Sequence, residues 1–138
     1  MSEELTRALA LLRNQRHSFL NHLQVISGWL QLGKSDRAVQ YIARAVARLE
    51  AEGQALQRLD SPEVALFLIE TGLEAEPYGV AVRWRVSGPV DPALLPAARM
   101  QVKTALEQAA RLPEGDRSLT ITLGSAITVH TPTSAAEG

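Results

Sequence analysis

The chain carries three histidines and no cysteine, so any nucleophilic chemistry must rest on imidazole, hydroxyl or carboxylate groups. His17 has the most suggestive setting. Ala10, Arg13, Asn14, His17, Asn21, Gln24 and Gly28 recur at helical spacing and form a nearly all-polar stripe, which predicts that the imidazole faces water. A neutral imidazole nitrogen is nucleophilic near neutrality because its unperturbed pKa is ~6.5. The phosphoramidate it forms is reactive enough to pass the group on. Arg13 and Arg16, within one turn, would draw an acidic donor or screen a transferred phosphoryl group. Asn21 would hydrogen-bond the ring and set its tautomer, Gln24 extends the polar stripe, and Gly28 keeps the surface low for a docking partner. An exposed histidine on a helix is more often functionally silent, and spacing alone does not single out His17.

The other histidines favour structural roles. His22 falls between the polar stripe and the apolar seam near Trp29, as a packing or interface residue does, and His130 lies in the last strand without a helper. No paired carboxylates at hydrolase spacing, no His/Glu metal cluster, no Ser/His/Asp set and no glycine-rich phosphate loop can be assembled, so neither metal nor nucleotide sites are expected. Arg83, Trp84 and Arg85 resemble part of a nucleic-acid surface, but they alternate between two faces of a strand, and an ordinary sheet explains them.

The elements that must position His17 are legible in the apolar pattern. From Glu3 to Leu32 there is no proline, and Leu5, Leu12, Phe19 and Ile26 recur every seven residues, interleaved with Leu9, Leu23 and Leu30. This predicts one long helix. Gly33 is placed to end it, Lys34 makes the turn, and Ser35 with Asp36 opens a second helix with a stripe at Val39, Ile42, Val46, Leu49, Leu56 and Leu59. So short a turn makes the helices antiparallel, and seams wider than one neighbour can cover predict a homodimeric four-helix bundle.

Composition changes at Asp60-Ser61-Pro62-Glu63, dividing the chain into a hairpin over 1–60 and a small α/β domain over 61–138, an α+β class overall. Ser61 and Pro62 start a helix ending near Ala75. Val80, Val82, Trp84 and Val86 alternate with polar residues as a strand, and Asp91 with Pro92 or Pro96 opens a helix to about Leu112. Strands at Leu119, Ile121 and Leu123 and at Ile127 and Val129 meet at a Gly124-Ser125 turn. The order is α-β-α-β-β, an open sheet with helices on one face, and residues from about Thr133 onwards are expected to fray.

With 138 residues, 46% hydrophobic content and a net charge of −1, the chain reads as globular, without the charge that a nucleic-acid partner demands. Residues 1–60 hold 8 basic and 6 acidic side chains, and 61–138 hold 6 and 9, which favours the helical half as the one that meets an acidic partner. No signal peptide is recognisable and no apolar run reaches the ~20 residues of a membrane span, so a cytoplasmic location is expected.

The run from Arg16 to Lys34, RHSFLNHLQVISGWLQLGK, closely resembles the phosphoacceptor helix of the sporulation initiation phosphotransferase B family and of related citrate-type sensor kinases. In those proteins Arg-His-Asp is followed by an aromatic or aliphatic residue, Asn, and a Leu-Gln-(Val/Leu)-Ile-x-Gly block. The resemblance implies that His17 is the phosphorylated histidine and Asn21 the family's asparagine. Where the family usually has an acid after the histidine this chain has Ser18, which argues against ATP-driven autophosphorylation and leaves transfer from a receiver aspartate.

The second half resembles a cut-down histidine-kinase ATPase domain. Kinases hold Mg²⁺ with an asparagine-bearing helix and bind nucleotide with Gly-x-Gly loops. Here the only asparagines are Asn14 and Asn21, Glu107-Gln108-Ala109-Ala110 occupies the corresponding helix, and no Gly-x-Gly occurs. The resemblance therefore implies a phosphorelay phosphotransferase that receives a phosphoryl group from one response-regulator receiver and yields it to another, with any Mg²⁺ held by the receiver. The alternatives are a non-catalytic dimeric module regulating a receiver or kinase, and a sensor-kinase core fragment using an ATPase domain in trans.

Overall fold

The computed structural model describes residues 2–132, so the end expected to fray lies outside the described residues. The chain divides into two compact units, residues 1–50 and 51–138.

The first unit is a helical hairpin. α1 spans Glu3–Gln31, opened by the Ser2 hydroxyl, which accepts from the Leu5 N–H at 3.1 Å, with Glu3 and Glu4 in its first turn. Both features satisfy or complement the free N–H groups there. The helix closes on a Schellman pair: Lys34 N–H donates to the Trp29 carbonyl at 2.9 Å and Gly33 N–H to Leu30 at 3.0 Å. Gly33 adopts φ 73°, the left-handed conformation that this motif requires. α2 spans Ser35–Gln57, and Arg37 and Ala38 N–H groups bond back to the Lys34 carbonyl. Ser35, expected as its cap, is therefore already its first residue. Lys34 and Arg37 place their cations 5.9 and 5.4 Å from the Trp29 ring, tying the turn to the end of α1.

The two helices meet along sides of mixed polarity. On α1 the covered positions include Leu11, Ser18, His22, Ile26 and Trp29, and on α2 Ala38, Tyr41, Ala45 and Arg48. The heptad leucines lie off this contact: Leu12 is 61% exposed, Phe19 63% and Val39 64%, and Leu5, Leu23, Leu30, Ile42, Val46 and Leu49 are exposed with them. The stripe expected on α2 through Leu59 stops earlier, because the helix ends at Gln57.

From Ala51 the last turns of α2 group with the second unit. Ala55 is buried, and the Glu52 carboxylate lies so close over Gly72 that any added Cβ would displace it. α3 spans Pro62–Ala75, with Ser61 capping Val64 N–H and Pro62 in its first turn, as the sequence predicts. β1 spans Ala81–Val86, reached through Gly79 at φ 67°. α4 spans Leu95–Ala109, preceded by a single 3-10 turn that Asp91 caps through Ala93 N–H. It ends three residues before the expected Leu112, where Arg111 and Leu112 N–H groups bond only three residues back and Pro113 follows. β2 spans Ser118–Leu123 and β3 Ile127–His130.

The sheet order is β1-β2-β3, parallel between the first pair and antiparallel between the second. The parallel pair is joined through α4, the connection that parallel strands need. Leu119, Ile121 and Leu123 are fully buried, and Val82, Trp84 and Val86 face the same side. Against them pack Val64 and Phe67 of α3 and Leu95, Ala98, Val102, Leu106 and Ala109 of α4. Trp84 meets Phe67 edge-on at 6.2 Å. Helices therefore cover one face of the sheet, as expected.

Two predictions follow from local geometry. Gly33→Ala forces a side chain into left-handed backbone and should lower stability by about 1–2 kcal/mol in urea unfolding, with Gly33→Asn losing clearly less. On α3, partial desolvation and then the neighbouring Glu70 hold the Glu74 carboxyl above the usual carboxylate range, against the opposing pull of Arg99. A raised folded-state pKa means the folded chain binds this proton more tightly, so ionised Glu74 opposes folding. Glu74→Gln should thus be the more stable protein at about pH 7, and its advantage should vanish as the pH falls below about 4 in the same unfolding assay.

Candidate functional site

The geometry of α1 sorts its residues by direction. Arg13, Asn14, His17, Asn21 and Gln24 are exposed along one side of the helix, with Gly28 half-covered at its end. Arg13 lies one turn before His17 and Asn21 one turn after, so their side chains neighbour the imidazole along the helix. Gln24 stands two turns away on the same line. Arg16 does not share this line: adjacent helical residues point about 100° apart, and Arg16 is exposed toward the side of Leu9 and Leu20 instead.

Among the described residues no hydrogen bond joins His17 to Asn21 or Arg13. The ring is open to solvent, and the tautomer-setting bond expected from Asn21 is not made. Ser18 turns the other way, half-buried on the hairpin side, and so stands off the polar stripe altogether. A nucleophile needs a lone pair that an incoming electrophile can reach, and His17 alone of the two α1 histidines meets this condition.

His22 does not. Its Nδ1 lies against the Tyr41 hydroxyl, and its Nε2 accepts from an Arg48 guanidinium nitrogen at 3.2 Å. A guanidinium only donates, so Nε2 offers its lone pair and Nδ1 carries the hydrogen of the neutral ring. The Tyr41 ring lies 5.6 Å from the imidazole, tilted by 53°. Both nitrogens are engaged in holding α1 to α2, as the packing role expected from its position requires. Tyr41 and Arg48 escaped the sequence reading. Their only signal is a seven-residue spacing beside the apolar stripe of α2, and nothing in their types pairs them with a histidine.

His130 is exposed on β3, far in sequence from any group that would activate it. In the second unit, Glu107 and Gln108 are exposed on α4. A shallow groove between α4 and β3 is lined by Met100, Gln101, Thr104, Ala105, Gln108, Val129 and Thr131, without a charged side chain. Among the described residues no group of three or more His, Asp or Glu side chains is disposed to hold a metal ion. None of the described helices is long and apolar enough to cross a membrane.

Comparison with known proteins bears on the hairpin. Residues 1–58 match the family described as sensor kinase SpoOB-type, alpha-helical domain, a segment that closes one residue beyond α2. The chain is also 37% identical over 87 residues to the sensor protein CitS of Halalkalibacterium halodurans, an overlap covering 59% of this chain. That overlap amounts to 16% of the relative's own length. A long amphipathic helix with an exposed histidine, closed by a tight turn onto an antiparallel partner, thus coincides with the matched segment, and through residues 1–58 the chain is similar to the helical domain of SpoOB-type sensor kinases.

Proposed function

We propose that the chain is a cytoplasmic phosphorelay phosphotransferase whose His17 takes a phosphoryl group from the aspartate of one response-regulator receiver and yields it to another. The observation that carries this reading is the contrast between two histidines on one helix. His22 has both ring nitrogens engaged, whereas His17 presents an unobstructed ring on a segment that matches the helical domain of SpoOB-type sensor kinases.

In the forward step a lone pair of His17 attacks the phosphorus of an aspartyl phosphate. The P–N bond forms as the P–O bond breaks, the carboxylate leaves with its electron pair, and the second ring nitrogen keeps its hydrogen. The reverse step, with a second aspartate as nucleophile, restores the imidazole. Arg13 lies one turn from His17 and is placed to offset phosphoryl charge, while Asn21 and Gln24 supply polar contacts for the docked receiver. Any Mg²⁺ belongs to the receiver, and the rigid helix supplies the alignment that in-line transfer needs.

The scaffold in this reading is a homodimer. Thirteen large apolar side chains of residues 1–50 are at least 40% exposed, too many for a hairpin that stands alone in water. Pairing two hairpins through Leu5, Leu12, Phe19, Leu23, Val39, Ile42 and Val46 closes a four-helix bundle while leaving the His17 stripe outside. Residues 61–138 are read as a shortened relative of the kinase ATPase domain. The uncharged groove beside α4, and a helix carrying Glu107 and Gln108 where kinases place asparagine, support a chain that binds no nucleotide of its own.

Mixing the chain with a phosphorylated receiver should produce an acid-labile, base-stable phosphate that His17→Gln abolishes and His22→Gln retains. Full labelling of His17→Gln would exclude this residue, and label acquired from ATP alone would make the chain a kinase. Label from neither source would identify a binding module. Leu12→Glu and Phe19→Glu replace side chains exposed on the isolated hairpin, and should convert a dimer into a monomer in analytical sedimentation while preserving helical circular dichroism. A monomeric mass for the unaltered chain at micromolar concentration would defeat the bundle.

A further inference from the structure

The face of the sheet turned away from the helices is not called on by the phosphotransfer proposed for His17, yet its side chains are not a random polar mixture. The parallel register sets Arg83 beside Thr120 and Arg85 beside Thr122. The antiparallel register then sets Thr120 beside His130 and Thr122 beside Thr128. In-register neighbours point to the same side of a sheet, so two rows lie on the open face: Arg83-Thr120-His130 and Arg85-Thr122-Thr128. A third row holds Ala81 and Ser118. Arg83, Arg85, Thr128 and His130 are exposed, and the central threonines are half-buried. No strand position on this face is acidic.

Charge partnering elsewhere makes this arrangement informative. Residues 61–138 hold nine acidic and six basic side chains, so carboxylates are in excess. Arg99 is paired with Glu70 at 3.6 Å, and Arg117 donates to the Leu112 and Tyr78 carbonyls. Arg83 and Arg85 have neither an ion pair nor a hydrogen bond among the described residues. Two guanidinium groups on alternate residues of one strand stand roughly 7 Å apart at their roots, twice the ~3.3 Å strand rise. Carboxylates on alternate residues of an extended segment, or one turn apart on a helix, have about the same separation. Threonine hydroxyls and an imidazole fill the rows between them as further hydrogen-bonding groups.

We infer that this open sheet face docks an acidic surface of another protein, gripping paired carboxylates through Arg83 and Arg85 with His130 at its margin. Planar forks suit carboxylates, which accept two parallel hydrogen bonds from one guanidinium. A single-stranded nucleic acid would require aromatic platforms, and Trp84, the aromatic residue of these strands, faces the core. The acidic surplus of this segment also opposes a polyanion, while a compact carboxylate pair meets only the local field.

The test is a nuclear magnetic resonance titration of the full chain with a synthetic peptide of alternating glutamate and threonine, beside oligothymidylate and phosphatidylserine vesicles as competing probes. The peptide should shift amide signals of β1, β2 and β3, and binding should weaken about tenfold or more in Arg83→Glu/Arg85→Glu, with two attractions becoming repulsions. Lys103→Glu, an exposed α4 change, should leave binding near the unaltered level, and so should His17→Gln, because this surface acts independently of phosphotransfer. Should the charge reversal unfold the domain, Arg83→Gln/Arg85→Gln reads the same loss with a smaller amplitude. Absence of peptide binding, binding that survives the arginine replacements, equal loss in Lys103→Glu, or preference for oligothymidylate or vesicles would each overturn the assignment.

Discussion

The side of α1 that faces α2 is fastened by the His22 contact with Tyr41 and Arg48. A helix of 29 residues carries apolar leucines, a polar stripe and a mixed side, and only one of these can face α2. It is the mixed side that does so, with both nitrogens of His22 engaged across the hairpin. The exposed leucines then turn outward together, and the His17 stripe turns to a third direction, clear of both. Losing the contact would relax the angular relation between His17 and the apolar surface, although each helix would remain helical by its own pattern.

This angular arrangement suits the carrier role proposed for the hairpin. The imidazole needs an open approach, and a helix flank in water provides one without a pocket. Rigidity has to come from elsewhere, and in the proposed dimer burial of the leucine stripes against a second hairpin would supply it on the side away from His17. The proposed transfer would rely on a partner that brings its own electrophile and cation, since the polar stripe offers one neighbouring arginine and amide groups but no carboxylate. Ser18, turned toward α2, contributes no acid beside the ring.

The second unit is held by a different principle. Leu119, Ile121 and Leu123 occupy the middle strand, the position in a three-stranded sheet with neighbours on both sides, and the alternating pattern sends every one of them into the core. The same alternation delivers Arg83 and Arg85 to the opposite face, so core formation and surface charge follow from a single register. Small residues on α4, such as Ala98, Ala105 and Ala109, let that helix approach the sheet closely.

Much of this was legible in the chain itself, because periodicity and end signals are local. The seven-residue repeat specified α1, Gly33 its end, Ser61 and Pro62 the start of α3, and strict alternation the three strands with their buried face. The exposure of His17 followed from the polarity of its own stripe. Tertiary structure decided what depends on meetings between distant residues. Nothing in sequence spacing joins His22 to Tyr41 and Arg48, frees His17 from the Asn21 bond, or brings Arg83, Thr120 and His130 into one row. Helical and strand patterns assign each side chain a direction relative to its own axis, whereas the neighbour in that direction is set by the packing of axes, to which residues far apart in the chain contribute together.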